Sequence, residues 1–138
     1  MPARDEFHEA VKTALQNEGW TITADPLYLE FGGVDMYVDL AAEKMIAAEK
    51  EGRKIAVEIK SFSAPSLISE FHTALGQFIN YRTALQTQEA ERRLYLAVPE
   101  DTYLTFFTLP FTQMVITQQK LKVLVYDIEQ EVIVKWLE

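Results

Sequence analysis

The sequence predicts a mixed α/β fold within a single domain spanning residues 1–138. Segments with apolar residues at helical spacing alternate with short extended segments rich in β-branched and aromatic residues. The chain has 138 residues, of which 49% are hydrophobic and 25% are charged. It is therefore long enough to bury one core, and its composition excludes a disordered or low-complexity polymer. No repeat or flexible linker divides it.

The first elements are a helix and two short strands. Apolar residues between Ala3 and Glu18 form a stripe at helical spacing, and Gly19 ends the predicted helix. Strands are predicted at residues 20–23 and 27–31, with a turn at Asp25 and Pro26 between them. These strands are expected to begin a meander.

The next extended segment, residues 34–40, is acidic on one face. Asp35 and Asp39 are four residues apart, so a regular strand would place both side chains on the same side. The sequence therefore predicts that these two carboxylates could share a site.

Residues 45–60 are expected to form a hairpin that turns at Glu51 and Gly52. The second arm, residues 53–60, alternates in character, so one face is expected to be buried and the other to present an acid and a base side by side. The buried face comprises Ile55, Val57 and Ile59, and the opposite face comprises Ala56, Glu58 and Lys60.

The second half of the chain begins with a long amphipathic helix that follows Ser66 and is predicted to end near Gln88. The remaining predicted elements are a buried strand at 93–99, two short helices within 100–119 broken at Pro110, a strand at 121–126, a turn at 127–130 and a last strand at 132–137.

Composition excludes several classes of protein. The chain has no cysteine, so disulfide scaffolds, thiolate nucleophiles and cysteine-ligated metals are ruled out. The formal charge of −8, from 13 basic and 21 acidic residues, provides no general attraction to nucleic acid or anionic membranes. Without an apolar N-terminal core or a long apolar run, the chain is expected to be cytoplasmic and unattached to membranes.

The residues best suited to chemistry are Asp39, Glu58 and Lys60. Mg²⁺ prefers oxygen ligands and commonly binds one or two carboxylates, waters and substrate phosphates. Asp39 and Glu58 are therefore candidate metal ligands, and Lys60 could orient a water or offset charge on a phosphate. The alternative is a surface strand on which Glu58 and Lys60 merely pair.

Three further residues are candidates with structural alternatives. Gln77 and Tyr81 lie four residues apart on one face of the long helix and could face the end of the Glu58 strand. They could equally form an ordinary boundary between core and solvent. Glu9, which is preferred to Glu6, is a candidate third carboxylate. The alternative is a solvated acid that complements the helix dipole.

Other conspicuous side chains receive structural interpretations. His8 and His72 are assigned no metal or nucleophilic role because neither has ligands at a suitable spacing. Arg92 and Arg93 are interpreted as a solvated strand edge. The aromatic residues Phe106, Phe107 and Phe111 are interpreted as core, although an exposed portion would form a dimer surface.

Asp39, the Glu58-Ile-Lys60 triplet and the Gln77–Tyr81 segment together resemble the PD-(D/E)XK, or restriction-endonuclease-like, superfamily, whose core has the order α-β-β-β-α-β. Nearly the whole chain also resembles the XisH family, the fdxN element excision controlling factors of cyanobacteria. The stretches that carry the second resemblance are residues 7–12, 19–23, 32–40, 46–62, 74–78 and 131–136.

The resemblance implies a restriction-endonuclease-like mixed sheet and a role in programmed DNA excision. It implies DNA as a partner, together with a site-specific recombinase or an XisI-type small protein, and Mg²⁺ or Mn²⁺ as cofactor. It also implies catalytic roles for Asp39, Glu58, Lys60, Gln77 and Tyr81, and Glu9 stays an additional candidate on its position in the first helix. This chain departs from the superfamily pattern because Val38, rather than proline, precedes the aspartate.

Three hypotheses follow from the sequence. The first is a Mg²⁺-dependent DNA phosphodiesterase in which Asp39, favoured over Asp35 because it is nearer the hairpin, binds the metal with Glu58. The second is a non-catalytic accessory protein that keeps a nuclease-like scaffold and binds a recombinase or small partner. The third is an acidic homodimeric α/β domain in which Glu58 only pairs with Lys60.

Overall fold

The computed structural model describes residues 6–44 and 52–138, which form a six-stranded mixed sheet with helices on both faces and a separate two-stranded sheet. The helices are α1 (Glu6–Asn17), α2 (Leu67–Gln88), α3 (Glu100–Thr102), which continues into a π-helical segment (Tyr103–Phe107), and α4 (Pro110–Gln119). The strands are β1 (Thr21–Ala24), β2 (Leu27–Phe31), β3 (Val34–Val38), β4 (Leu40–Lys44), β5 (Arg53–Ile59), β6 (Arg93–Pro99), β7 (Val123–Asp127) and β8 (Val132–Leu137).

The strand order of the main sheet is β1-β4-β5-β6-β7-β8, and β2 pairs with β3 outside it. β5, β6 and β7 are parallel, whereas β1, β4 and β8 run antiparallel to their neighbours. The mixed α/β prediction is therefore confirmed. The predicted meander is wrong, because β1 pairs with β4 and the intervening β2–β3 hairpin leaves the main sheet.

The segment predicted as a single strand, residues 34–40, is divided at Asp39. Val38 ends β3 and Leu40 begins β4, so the chain changes from the small sheet to the main sheet at this residue. The predicted first hairpin arm at residues 45–51 lies outside the described ranges. Within them, the antiparallel partner of β5 is β4.

The main sheet separates two hydrophobic clusters. α1 packs on one face, where Val11 and Leu15 join Ile55 and Val57 of β5. α2, the β2–β3 hairpin and the helices after β6 pack on the other face, where Ala56 joins the cluster. The predicted alternation of β5 is confirmed. The face of Ala56 and Glu58 is also buried, so the structure contradicts the alternative in which β5 is a surface strand.

The long helix matches its predicted boundaries. Ser66 caps α2 by accepting a hydrogen bond from the backbone N–H of Ser69 at 3.2 Å, as expected for a serine at this position. Pro110 begins α4, which confirms the predicted break. None of the helices in the described ranges is long and apolar enough to cross a membrane.

Two side-chain predictions are corrected by burial. Arg92 is only 9% exposed and bonds to backbone and carboxylate groups, whereas its neighbour Arg93 is exposed. Phe106 and Phe107 are buried as expected, but Phe111 is 56% exposed. One arginine of the pair is therefore interior and the other lies on the surface. The three phenylalanines are divided in the same way.

Candidate functional site

Asp39 and Glu58 are held together by reciprocal hydrogen bonds to the backbone. The Asp39 N–H donates to Oε1 of Glu58 at 3.3 Å, and the Ile59 N–H donates to Oδ2 of Asp39 at 2.8 Å. Asp39 occupies the junction between β3 and β4, and Glu58 lies near the end of β5. The change of sheet at Asp39 therefore brings the two carboxylates to the same end of β5.

Glu58 is buried in an electrostatically unfavourable position. The side chain is 6% exposed. Burial, followed by the negative charge of Asp39, raises the pKa of Glu58 to about 7, while Lys60 acts in the opposite direction. Loss of hydration disfavours the ionised form, and a nearby like charge adds to that cost. A positive charge placed between the two carboxylates would stabilise both.

Lys60 follows Glu58 by two residues and lies on the same side of the chain. Its Nζ atom is 3.6 Å from Oε2 of Glu58. The Lys60 backbone is fixed on both sides: its N–H donates to the carbonyl oxygen of Ala97 at 3.1 Å, and its carbonyl accepts a hydrogen bond from the Tyr126 hydroxyl at 3.4 Å. The backbone of Lys60 is thus fixed, and its ammonium group lies close to the carboxylate of Glu58.

Tyr81 of α2 faces the same pair of carboxylates. Burial raises the pKa of Tyr81 to about 12, and the negative charges of Glu58 and Asp39 contribute to the shift. Gln77, one turn earlier in α2, is half-buried, and its Oε1 atom is buried without a hydrogen-bond partner in the described ranges. The placement of Tyr81 agrees with the expectation that this helix face is directed toward the end of the Glu58 strand.

A cavity of about 260 Å³ opens beside Asp39 and Lys60. His8 of α1 also lines it; this histidine is buried, and its Nε2 atom lies 2.9 Å from Oδ1 of Asp25. Lys12 donates to the other oxygen of Asp25 at 2.9 Å. In the part of the chain that the structure describes, the lining residues are Phe7, His8, Asp39, Ile59, Lys60, Ser61 and Glu70.

α1 therefore presents His8 to the cavity, and not the predicted Glu9, which is exposed and absent from the lining. The sequence carried a usable signal, since His8 continues the buried stripe of Val11 and Leu15 at spacings of three and seven residues. A one-residue step along a helix rotates the side chain by about 100°, so the identity of the inward residue depends on the exact phase of the helix.

Glu70 is a second residue that the sequence analysis missed. Its two oxygens accept backbone hydrogen bonds from Phe62 at 2.8 Å and Ala64 at 3.1 Å. These bonds hold the loop that follows Lys60 against the first turn of α2. Glu70 therefore shapes one wall of the cavity while its carboxylate is engaged by the backbone.

Asp35 is not brought to Asp39. It lies in β3 opposite Glu30, and its Oδ1 atom accepts a hydrogen bond from the Tyr28 hydroxyl at 2.8 Å on the exposed hairpin surface. The expectation that Asp35 and Asp39 share a site is therefore wrong, because the regular alternation on which it depended stops where β3 ends. Of the two aspartates, Asp39 contacts Glu58.

The described residues contain no group of three or more His, Asp or Glu side chains arranged to hold a metal ion. Asp39 and Glu58 provide two carboxylates, and a Mg²⁺ ion bound there would complete its coordination with waters or substrate oxygens, which is common for this ion. Burial, followed by the like charge of Asp39, raises the pKa of Glu58, which fits a site that gains stability from a dication.

The fold and the site define a mixed α/β protein with two converging carboxylates and a lysine at the end of a central strand. A family model described as XisH protein matches residues 1–134, and the chain therefore belongs to the XisH family. The resemblance inferred from the sequence is confirmed at this level.

Two solved structures are closely similar over their whole length. An XisH family protein from Nostoc punctiforme PCC 73102 is 55% identical with a TM-score of 0.89, and the match covers 97% of this chain and 100% of that one. An fdxN element excision controlling factor protein from Anabaena variabilis is 57% identical with a TM-score of 0.88, and the match covers 98% and 100%. No curated protein matches the chain.

Proposed function

We propose that this chain is an excision controlling factor that acts on DNA as a Mg²⁺-dependent phosphodiesterase of the PD-(D/E)XK type. The observation that carries the proposal is the buried carboxylate pair, in which Glu58 accepts from the Asp39 N–H at 3.3 Å and Lys60 lies 3.6 Å from Glu58. The description of the Anabaena variabilis relative as an excision controlling factor supports the biological role.

In this proposal Asp39 and Glu58 would hold the dication. When bound, it would supply polarisation of the phosphodiester and a lowered pKa of the attacking water. The Lys60 ammonium donates a hydrogen bond to that water or to a phosphate oxygen and offsets the charge that develops there. The Tyr81 hydroxyl, with a pKa of about 12, stays protonated at neutral pH and serves as a hydrogen-bond donor.

Incubation of the purified protein with plasmid, single-stranded and branched DNA in Mg²⁺ or Mn²⁺ tests the activity. We expect cleavage by the wild type, and its loss in Asp39→Asn, Glu58→Gln and Lys60→Gln. Glu30→Gln, which removes an exposed carboxylate from the β2–β3 hairpin, is the matched control and should cut like the wild type. Cleavage that persists in Glu58→Gln would show a contaminating nuclease and overturn the assignment.

A second candidate function is a non-catalytic accessory role through contact with a recombinase, an XisI-type small protein or a second copy of the chain. Large exposed apolar side chains in and just before α4 favour this candidate, because exposed apolar surface commonly marks protein contacts. This apolar surface comprises Leu104, Leu109, Phe111 and Met114, whose exposed fractions are 60%, 45%, 56% and 61%.

The two functions are distinguished by substitution on this surface. Met114→Lys should abolish capture of a co-expressed XisI-type protein or recombinase if the accessory role holds, while Glu58→Gln should leave capture intact. DNA cleavage by the isolated wild-type chain, combined with capture that is insensitive to Met114→Lys, would contradict the accessory role. Sedimentation of the chain alone shows whether a second copy occupies the surface.

A further inference from the structure

A second cavity, of about 450 Å³, opens at the opposite end of β5 from the carboxylate pair. Its lining includes Arg53, Lys54 and Ile55, where β5 begins, whereas Asp39 contacts Ile59, where β5 ends. At about 3.3 Å per residue, the two ends of this strand are about 20 Å apart. The volume is in the range of small-molecule sites, and within residues 6–44 and 52–138 the two cavities share no lining residue.

Aromatic rings form one wall of this cavity. Trp20 and Trp136 have ring centroids 5.8 Å apart, and Tyr95 packs against Trp136 with centroids 4.9 Å apart. The Trp136 Nε1–H donates to Oε1 of Glu18 at 3.4 Å, which fixes the indole at the cavity margin. Trp136 is half-buried, whereas Trp20 and Tyr95 are 7% and 3% exposed, so the wall offers a planar ligand chiefly the Trp136 indole. The chain has two tryptophans, and both line this cavity.

Two cations face each other across the strands at the cavity rim. Lys44 of β4 is the register partner of Arg53 of β5, and both line the cavity. Like charges directly opposite in an antiparallel pair destabilise a sheet. Lys44 lies over the ring of Trp20 at 5.8 Å, and Arg53 has no ion pair with another described residue. An anion between these two side chains would remove their repulsion.

The other charged groups of the lining are arranged mainly as ion pairs. Lys54 lies 3.9 Å from Glu91, and Arg93 lies 3.5 Å from Glu138. Glu138 also forms a hydrogen bond with the hydroxyl of Tyr95. These contacts engage the carboxylates Glu91 and Glu138 with neighbouring cations. Among the described lining residues, Lys44 and Arg53 are the cations without a carboxylate partner beside the aromatic wall.

We propose that this cavity binds a nucleoside monophosphate, with the phosphate between Lys44 and Arg53 and the base against Trp136. Phosphate oxygens accept charge-assisted hydrogen bonds from arginine and lysine. An aromatic base provides the planar apolar group that the indole wall contacts favourably. This site is separate from the proposed phosphodiesterase centre, because its ligand would bind at the opposite end of β5.

Titration with adenosine monophosphate in EDTA, followed by intrinsic tryptophan fluorescence and by calorimetry, tests the site. We expect a saturable fluorescence change, because both reporter rings line the cavity. Arg53→Gln and Lys44→Gln should each weaken binding by about tenfold or more, the loss expected when a charge-assisted hydrogen bond is removed. Inorganic phosphate alone and adenosine alone should each bind about tenfold or more weakly than the nucleotide.

Lys122→Gln is the matched control, since it removes one positive charge outside the lining, and it should bind the nucleotide like the wild type. Glu58→Gln should also bind the nucleotide like the wild type. Nucleotide binding therefore tests this proposal independently of the phosphodiesterase proposal. The nucleotide proposal is overturned if millimolar nucleotide gives no saturable change. It is also overturned if Arg53→Gln and Lys122→Gln bind equally well, or if phosphate alone binds as tightly as the nucleotide.

Discussion

Two buried charged side chains in this molecule, Arg92 and Glu58, have contrasting surroundings. Arg92 donates to Glu89 at 2.7 Å, to the carbonyl oxygen of Ile55 at 3.0 Å and to Glu43 at 3.2 Å. Glu58 accepts a 3.3 Å hydrogen bond from the backbone of Asp39 and lies 3.6 Å from Lys60. The positive charge of Arg92 is compensated by two carboxylates, whereas Glu58 lies near the negative charge of Asp39 as well as the positive charge of Lys60.

The contrast separates a structural charge from a functional candidate. A buried charge that is fully hydrogen-bonded contributes to a specific fold, and removal of its side chain leaves its partners uncompensated. A buried carboxylate with a raised pKa and incomplete compensation destabilises the folded state, and such groups concentrate at functional sites. Substitution at these two positions should therefore change stability in opposite directions.

The largest expected effect is the loss of stability in Arg92→Met. The substitution keeps much of the apolar stem but leaves Glu43, Glu89 and the Ile55 carbonyl without their donor, which should cost about 3–5 kcal/mol. Urea denaturation at pH 7 measures the change. Arg93→Met is the control, and because its ion pair is exposed it should cost less than about 1 kcal/mol. Equal losses in both variants would contradict the structural role of Arg92.

Glu58→Gln should stabilise the protein at alkaline pH. The pKa of Glu58 is raised to about 7 from an ordinary value of 4.5, so its favourable contribution is complete below pH 4.5 and is lost as the pH rises through 7. The variant should exceed the wild type by about 3 kcal/mol at pH 8 and by less than about 1 kcal/mol at pH 5. Chemical denaturation in EDTA across this range measures the difference, with Glu30→Gln as control. A gain that does not change with pH would argue against the raised pKa.

Binding of Mg²⁺ should reverse part of the destabilisation in the wild type. At a Mg²⁺ concentration ten times the dissociation constant, the folded state should gain about 1.4 kcal/mol. Thermal denaturation at pH 8 with and without Mg²⁺ measures the gain. Asp39→Asn and Glu58→Gln should lose the response, whereas Glu30→Gln should retain it. A response that survives both substitutions at the pair would locate the ion elsewhere.

The smallest expected effect is that of Asp35→Asn. This variant tests whether Asp39, and not Asp35, is the aspartate of the proposed metal site. Because Asp35 bonds to Tyr28 on an exposed surface, the change should alter stability by less than about 0.5 kcal/mol. The Mg²⁺ response and any DNA cleavage should remain at wild-type levels. Loss of either in Asp35→Asn, with Asp39→Asn unaffected, would reverse the assignment.

Local sequence patterns predicted most of the secondary structure. α2 and β6 have the predicted bounds, and Pro110 begins α4, because helical periodicity, strand composition and proline geometry act over a few residues. The single strand predicted at residues 34–40 is wrong because alternation continues through Asp39 while the pairing partner changes from β2 to β5. Strand partners are distant in sequence, so the change of sheet has no local signal.

The candidate site was predicted only in part, because its residues share local spacing patterns but meet through contacts that are distant in sequence. The two-residue spacing of Glu58 and Lys60 placed both on one face, and the four-residue spacing of Gln77 and Tyr81 placed both on one side of α2. Their spacing did not predict that Glu58 would be buried, since burial comes from packing of α2 and the hairpin over that face. The position of Asp39 nearer the hairpin, and not strand alternation, favoured it over Asp35 as the partner of Glu58.

By itself the sequence determined the mixed α/β class, the family and the residue types able to bind a dication, because these depend on composition, short-range periodicity and extended similarity. Only the tertiary structure decided that Asp39 meets Glu58, that His8 replaces Glu9 at the cavity, and that Arg92 is interior. These outcomes depend on side-chain environments created by segments far apart in the chain. Burial and charge proximity are properties of that packing, and they set the pKa of Glu58 as well as the neighbours of each polar group.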